Sequence, residues 1–219
     1  MKIRINVDLK TNRVVRNFIL VDLVLLAGWG LIEPILALYV VGNVAGATVV
    51  TVGTAAGIYW IFKSMLQIPI AKYLDRTSGE EDDLRFLIAG LLLAAFSAFA
   101  FSLVTKIWQL YVVQLIHAVA FGLYAATWPA IFSRHLDKGK VSFDWALDST
   151  AVGISAGLSG FFGGVIANWL GFKAVFVLAA LFTLLSAFVL ILSPNLVMPG
   201  KKSSSEPSFK DHTPANIGR

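Results

Sequence analysis

Twenty-four residues from Phe18 to Val41, FILVDLVLLAGWGLIEPILALYVV, contain two acids and no base. A helix rises about 1.5 Å per residue, so a run of this length crosses a hydrocarbon core of about 30 Å. A buried helix of a large soluble protein could look the same. Against that, Arg13 and Arg16 flank the run and five further stretches like it follow. Composition agrees: the 219 residues are 57% hydrophobic and 14% charged, with a mean hydropathy of +0.76, where a soluble domain carries about 25% charged residues. The chain reads as an all-α integral membrane protein. The first run is not a cleavable signal peptide, because its apolar core is too long and lacks a small-residue cleavage site.

Six spans are predicted, at about 18–41, 45–71, 86–104, 107–132, 146–169 and 172–192, forming one bundle over 17–193. A leader, 1–16, precedes them. The polar, Pro/Ser-rich residues 194–219 predict a disordered tail. Of the eighteen Lys and Arg, fifteen fall in the leader, the 72–85 and 134–140 links and the tail; only Lys106 and Lys173 fall on the opposite side, and Lys63 lies within the second span. Bases concentrate on the cytoplasmic side, so both termini are expected there, in a cytoplasmic (cell inner) membrane. The same distribution removes nucleic acid as the meaning of the +5 charge.

Several chemistries are excluded. With no cysteine there are no disulfides and no thiolate, Cys-zinc or iron–sulfur sites. His117, His135 and His212 are scattered, without an acidic cluster that would hold a metal. No nucleophile–base pair or phosphate loop stands at workable spacing, so neither enzyme activity nor a cofactor is expected.

The polar residues inside the spans are the candidates for function. Glu33 lies deep in the first span, and a carboxylate there is costly unless it meets a partner or water. Pro34 beside it lacks an N–H, which frees the Gly30 carbonyl and predicts a kink. Trp29 and Glu33 share a face, whereas Asp22, six residues past Arg16, reads as its interfacial salt-bridge partner. In the fourth span Tyr111, Gln114, His117, Phe121, Tyr124 and Trp128 recur at three- or four-residue steps on one face. That stripe either lines a wet cavity or packs against neighbours. Pro129 is expected to bend or close this helix. Lys63, on a second-span stripe with Tyr59 and Gln67, either lines the same cavity or snorkels to the inner interface. Asp148 and Ser149 are expected to cap the fifth span or sit in its first turns. Two small-residue ridges predict close helix packing: Gly90, Ala94 and Ala98 in the third span, and Gly153, Gly157, Gly160 and Gly164 in the fifth.

Three stretches carry a resemblance. AKYLDRTSGEE after the second span is similar to a signature link of Gly, three residues, Asp-Arg, a spacer, Gly and a basic pair. Asp75, Arg76 and a displaced Gly79 match, whereas Ala71 replaces the first Gly and Glu80-Glu81 the basic pair. SAGLSGFFGGVIANWLGFKAVF resembles a glycine-rich fifth helix and its turn into the sixth, with Gly163-Gly164 and Gly171-Phe172-Lys173 in register and Gly160 where a Pro would stand. Pro34 sits at a commonly Gly/Pro-rich bend. Together these resemble the major facilitator superfamily of secondary transporters, over residues 17–192.

The resemblance implies half of a fold that usually has twelve spans in two similar six-helix halves. It implies transport of a small solute by a homodimer, or by a pairing with another half-size chain, with Asp75 and Arg76 as a gating link. It also places helices one and four on a shared cavity. Glu33 and His117 lie at depths differing by only roughly 3 Å, and the expectation is that they meet there and carry proton coupling or solute contact, with Lys63 as second partner. A static link holding helices together is the alternative for these residues. For the whole chain the alternatives are a non-transporting scaffold or accessory subunit, or a fragment of a twelve-helix carrier.

Overall fold

A computed structural model describes residues 11–76 and 80–192; the first ten residues, the displaced Gly79 and the expected tail lie outside the described residues. Seven helices build six spans: α1 (Arg13–Ile32) and α2 (Leu36–Asn43) make the first, followed by α3 (Val49–Leu74), α4 (Glu81–Phe101), α5 (Ile107–Arg134), α6 (Val141–Leu170) and α7 (Phe172–Leu192). All six are long and apolar enough to cross a membrane. The chain is a multi-pass, all-α membrane protein of six spans.

Local chemistry sets the ends. The Asn12 side chain accepts from the Val15 N–H at 2.9 Å and caps α1. The Thr51 hydroxyl accepts from the Thr48 N–H, so α3 starts at Val49, four residues beyond the apolar boundary at Ala45. Gln109 Oε1 takes the Thr105 and Lys106 N–H groups and closes the start of α5. Pro34 breaks the first span over residues 33–35, as its missing donor predicts. Pro129 does not close α5, which runs five residues further to Arg134. Gly171 alone joins α6 to α7, with φ +83° and ψ 164°, a conformation open essentially to glycine.

Neighbouring helices follow the order α3–α5–α4–α7–α1–α6, so α3 and α6 form the two flanks. Glycine permits the tight contacts in the middle. A Cβ at Gly28 would stand 2.8 Å from the Ala179 carbonyl oxygen, and one at Gly90 3.0 Å from that of Ala120. Gly90 thus packs directly on α5, and Ala94 and Ala98 on the same ridge are buried. The turns at the end opposite the 134–140 link are tied as well: the Ala45 N–H donates to the Thr105 carbonyl at 3.0 Å, and the Tyr39 hydroxyl donates toward the Val104 carbonyl at 2.7 Å.

The flanks differ. About half of the apolar stretch of α1, α4, α5 and α7 is buried, but only 11% of that of α3 and α6. A Cβ added at Gly153, Gly157 or Gly164 would meet nothing within 4 Å, and one at Gly160 would stand 3.7 Å from Pro34 and 3.8 Å from the freed Gly30 carbonyl. The expected fifth-span ridge therefore makes no close helix contact within this chain. Its neighbour Gly163 makes that contact instead, with Leu31 Cα 3.0 Å from the position of a Cβ.

Candidate functional site: the face between the flanks

The break at Glu33-Pro34 opens between α3 and α6. Pro34 leans on Gly160 of α6, while Glu33 is exposed and within electrostatic reach of Tyr59 on α3. Lys63, one turn from Tyr59, is half-buried; its Nζ lies 4.7 Å from the centre of the Trp60 ring and 5.6 Å from that of Tyr59. A cation over two aromatic faces is held partly by their quadrupoles.

His117 stands just behind this face. Its imidazole is sandwiched between Trp29, centroids 4.1 Å apart and planes 7° from parallel, and Tyr59, at 4.2 Å and 20°. Phe121 closes one edge at 4.9 Å. The one side-chain hydrogen bond is between Nδ1 and Gln114 Oε1 at 3.2 Å. The stack joins α1, α3 and α5 through three flat rings.

In this arrangement Glu33 and His117 are not in direct polar contact. No hydrogen bond or ion pair joins them, or joins Glu33 to Lys63, among the described residues. The reason is one helical turn. Trp29 precedes Glu33 on the same face of α1, and its indole takes the place against the imidazole. The fourth-span stripe is accordingly packed for much of its length, with Gln114, His117, Phe121 and Trp128 all buried.

Tyr124, the next polar member of that stripe, turns elsewhere. Its hydroxyl donates to Asp22 Oδ1 on α1. Asp22 is 3% exposed and not paired with Arg16, which is exposed. Asp148, two turns inside α6 and not at its cap, is also buried. Sequence reasoning passed over Asp22 and Asp148 as functional residues, although the rule that singled out Glu33, an acid inside an apolar run, applies to Asp22 equally.

At the basic end, Asp75 and Arg76 are exposed, and their side chains form no hydrogen bond or ion pair among the described residues. The link is fastened just beyond them. Arg134 bonds Asp83 and lies 3.7 Å from Glu80, and His135 Nε2 lies 3.4 Å from the same Glu80. Glu81, Asp82 and Asp83 also suit the first turn of α4, where the helix dipole favours acids. The start of α1 is tied to the 134–140 link. Asp137 accepts from the Asn12 side chain and backbone N–H, each at 3.0 Å, and from the Thr11 hydroxyl. The Asn12 side-chain bond is the main reason that the Asp137 carboxyl is held below its ordinary range.

Two curated relatives are the uncharacterized MFS-type transporters MT2531 and Rv2456c of Mycobacterium tuberculosis, from strains CDC 1551 / Oshkosh and ATCC 25618 / H37Rv. Each is 26% identical over 142 residues, covering 60% of this chain and 33% of the relative. The chain thus spans about a third of the aligned relatives' length. The pattern of the Major Facilitator Superfamily matches residues 18–217. With that match running through all six spans, and a helix arrangement corresponding to half of the superfamily's fold, the chain belongs to the Major Facilitator Superfamily.

Proposed function

We propose that this chain is a secondary transporter of a small solute and that it works as two six-helix units in parallel. The solute passes between the units, across the face framed by α3 and α6. The observation that supports this reading is the open face itself. Its glycines lack neighbours, and Glu33 and Lys63, charged groups in membrane-crossing helices, stand between its flanks. Exposed charge at that depth is tolerated where it lines water rather than lipid. Two identical chains related by a two-fold axis along the membrane normal would close the face symmetrically. A second reading, pairing with a different six-helix unit, is favoured by the greater length of the mycobacterial relatives. Both ends of the bundle are assigned to the cytoplasm, since fifteen of eighteen bases lie on that side.

Within this reading Glu33 and Lys63 touch solute or coupling proton, and His117 acts from behind the Trp29 and Tyr59 rings. Asp75 and Arg76 are the gating contacts to the second unit. The chain has no cysteine, which makes the test clean. Gly157→Cys should cross-link to a second copy in native membranes, and Leu184→Cys on the outer face of α7 should not. Equal cross-linking at both positions, or none at Gly157, Gly53 and Gly153 alike, would overturn the homodimer. A dimer that carries no ion or solute flux in proteoliposomes would overturn transport by the pair.

A further inference from the structure

On the reading that the open face carries the solute, we propose that this solute is a zwitterion of amino-acid size, its ammonium on Glu33 and its carboxylate on Lys63. The depth of each group, measured from the end opposite the 134–140 link, sets the arrangement. Glu33 is ten residues before the end of α2 at Asn43, Tyr59 ten past the start of α3 at Val49, and Lys63 fourteen past it. At 1.5 Å per residue the first two lie about 15 Å deep and Lys63 about 21 Å. Glu33 is therefore level with Tyr59, and Lys63 stands one turn further in, about 6 Å along the axis.

One acid and one base stand at this depth, and neither is answered. No ion pair or side-chain hydrogen bond engages the Glu33 carboxylate or the Lys63 ammonium among the described residues. Glu33 is exposed at the helix break. Lys63 has only the Trp60 and Tyr59 rings, 4.7 and 5.6 Å from its Nζ, so its three N–H donors lack an oxygen partner. Other carboxylates and bases are remote: Asp22 is buried and eleven residues from Glu33, and Lys72 is nine from Lys63, about 16 and 14 Å along their helices. An unanswered charge within a span is costly. A cation alone would leave Lys63 in that state, and an anion alone would leave Glu33. A solute carrying both charges answers each and adds no net charge.

The offset also sets the size. An ammonium and a carboxylate on one carbon, each making a charged hydrogen bond of about 2.8 Å, bridge an offset of this order. Such a solute brings a side chain, and the face has room for one. A Cβ added at Gly57 on α3 or Gly157 on α6 would meet nothing within 4 Å, and the exposed Trp60 ring offers an apolar surface. Behind Tyr59 the stacked His117 and Trp29 rings fill the space toward α5 and α1, which keeps the solute on the face. A phosphate ester suits the site poorly, since it brings up to two negative charges to one Lys and sets them against Glu33.

The test is equilibrium binding to the full chain in lipid bilayers, and it requires no transport. The common α-amino acids are offered in labelled form, and each binder is compared with its decarboxylated amine and its deaminated acid. An amino acid with an apolar side chain should bind, and removal of either charge should weaken it by about tenfold or more, the range for a lost charged hydrogen bond. Glu33→Gln should weaken the amino acid to the level of its deaminated acid and leave that acid unchanged. Lys63→Gln should weaken it to the level of the amine and leave the amine unchanged. This crossed pattern separates contact from loss of fold, which would weaken every ligand. Should one variant fail to fold, the other's half of the pattern decides. Failure of every amino acid to bind the wild-type chain, or equal weakening of all three ligands by a variant that folds, would overturn the zwitterion. Flux of a different solute in proteoliposomes would then leave the transport reading standing, whereas absence of both binding and flux would remove that reading too.

Discussion

Gly163 and Gly164 are neighbours in sequence and opposites in setting. A side chain on Gly163 would run into the Leu31 backbone, whereas one on Gly164 would meet nothing within 4 Å. The same contrast separates Gly28, Gly30 and Gly90 from Gly53, Gly57, Gly153 and Gly157. One set lets backbones approach inside the bundle. The other leaves a smooth surface on the flanks, and a surface without side chains gains most from a second helix that can approach as closely. Composition alone treats these glycines as equivalent, but their settings divide them into those packed inside the bundle and those left open on its flanks.

The largest effect that could break this division is expected from Gly163→Leu. Four added carbons against backbone cannot be absorbed by a rotamer change, so the folded chain should lose about 3 kcal/mol or more, read as a collapse of the thermal unfolding midpoint in detergent. Gly157→Leu should leave that midpoint within the change expected of an exposed site, roughly 0.5 kcal/mol, while abolishing the pair. If the two variants unfold alike, the division is wrong.

Next in size is the ring stack. His117→Ala forfeits contacts with both Trp29 and Tyr59, each worth about 0.5–1.5 kcal/mol, and His117→Phe should recover most of the loss. Glu33→Gln on the open side should be nearly silent in stability but should reduce solute-driven flux in proteoliposomes. Equal stability losses at the two positions would remove the distinction between closed and open faces.

Gly171→Ala tests a third kind of glycine, one chosen for its backbone angle. The expected cost is about 1–2 kcal/mol, within the range for an ordinary residue held in a glycine-only region. The smallest effect is a pH dependence at the link. Asp137 has a folded-state pKa below its ordinary 3.8, so its contribution is complete above that value and is lost as pH falls through the folded pKa. Asp137→Asn should flatten the acid limb of the stability curve in that window and lower the neutral plateau, where the contribution is complete, without giving it a slope.

The six spans and the break at Pro34 were legible because apolar length and a missing N–H act locally. Helix ends were less so: α3 starts at Val49, inside its apolar run, where the Thr48–Thr51 cap sets the boundary, α5 runs past Pro129 to Arg134, and α6 begins at Val141, five residues before its apolar run. Facing was hardest. Adjacent helical positions differ by about 100°, so spacing names a stripe without saying what it meets. That is why spacing named the fifth-span ridge without saying which helix it meets; within the chain Gly163, one residue from Gly164, makes the close contact with α1. Asp22 was hidden for another reason: its partner, Tyr124, is 102 residues distant, and Arg16 offered a nearer explanation.

The single-residue joint at Gly171 has a mechanical consequence. It suspends α6 from α7 at one end, near the place where Gly163 is pinned to α1, while the other end is reached through the longer 134–140 link. Thirty residues of helix make a rod about 45 Å long. A swing of about 10° about the joint would carry the far tip some 8 Å while the suspended end hardly moves. The far end of α6 is fastened too, since Asp144 accepts from Thr11 and from the Asp137 N–H, so a swing about the joint would have to break those ties first.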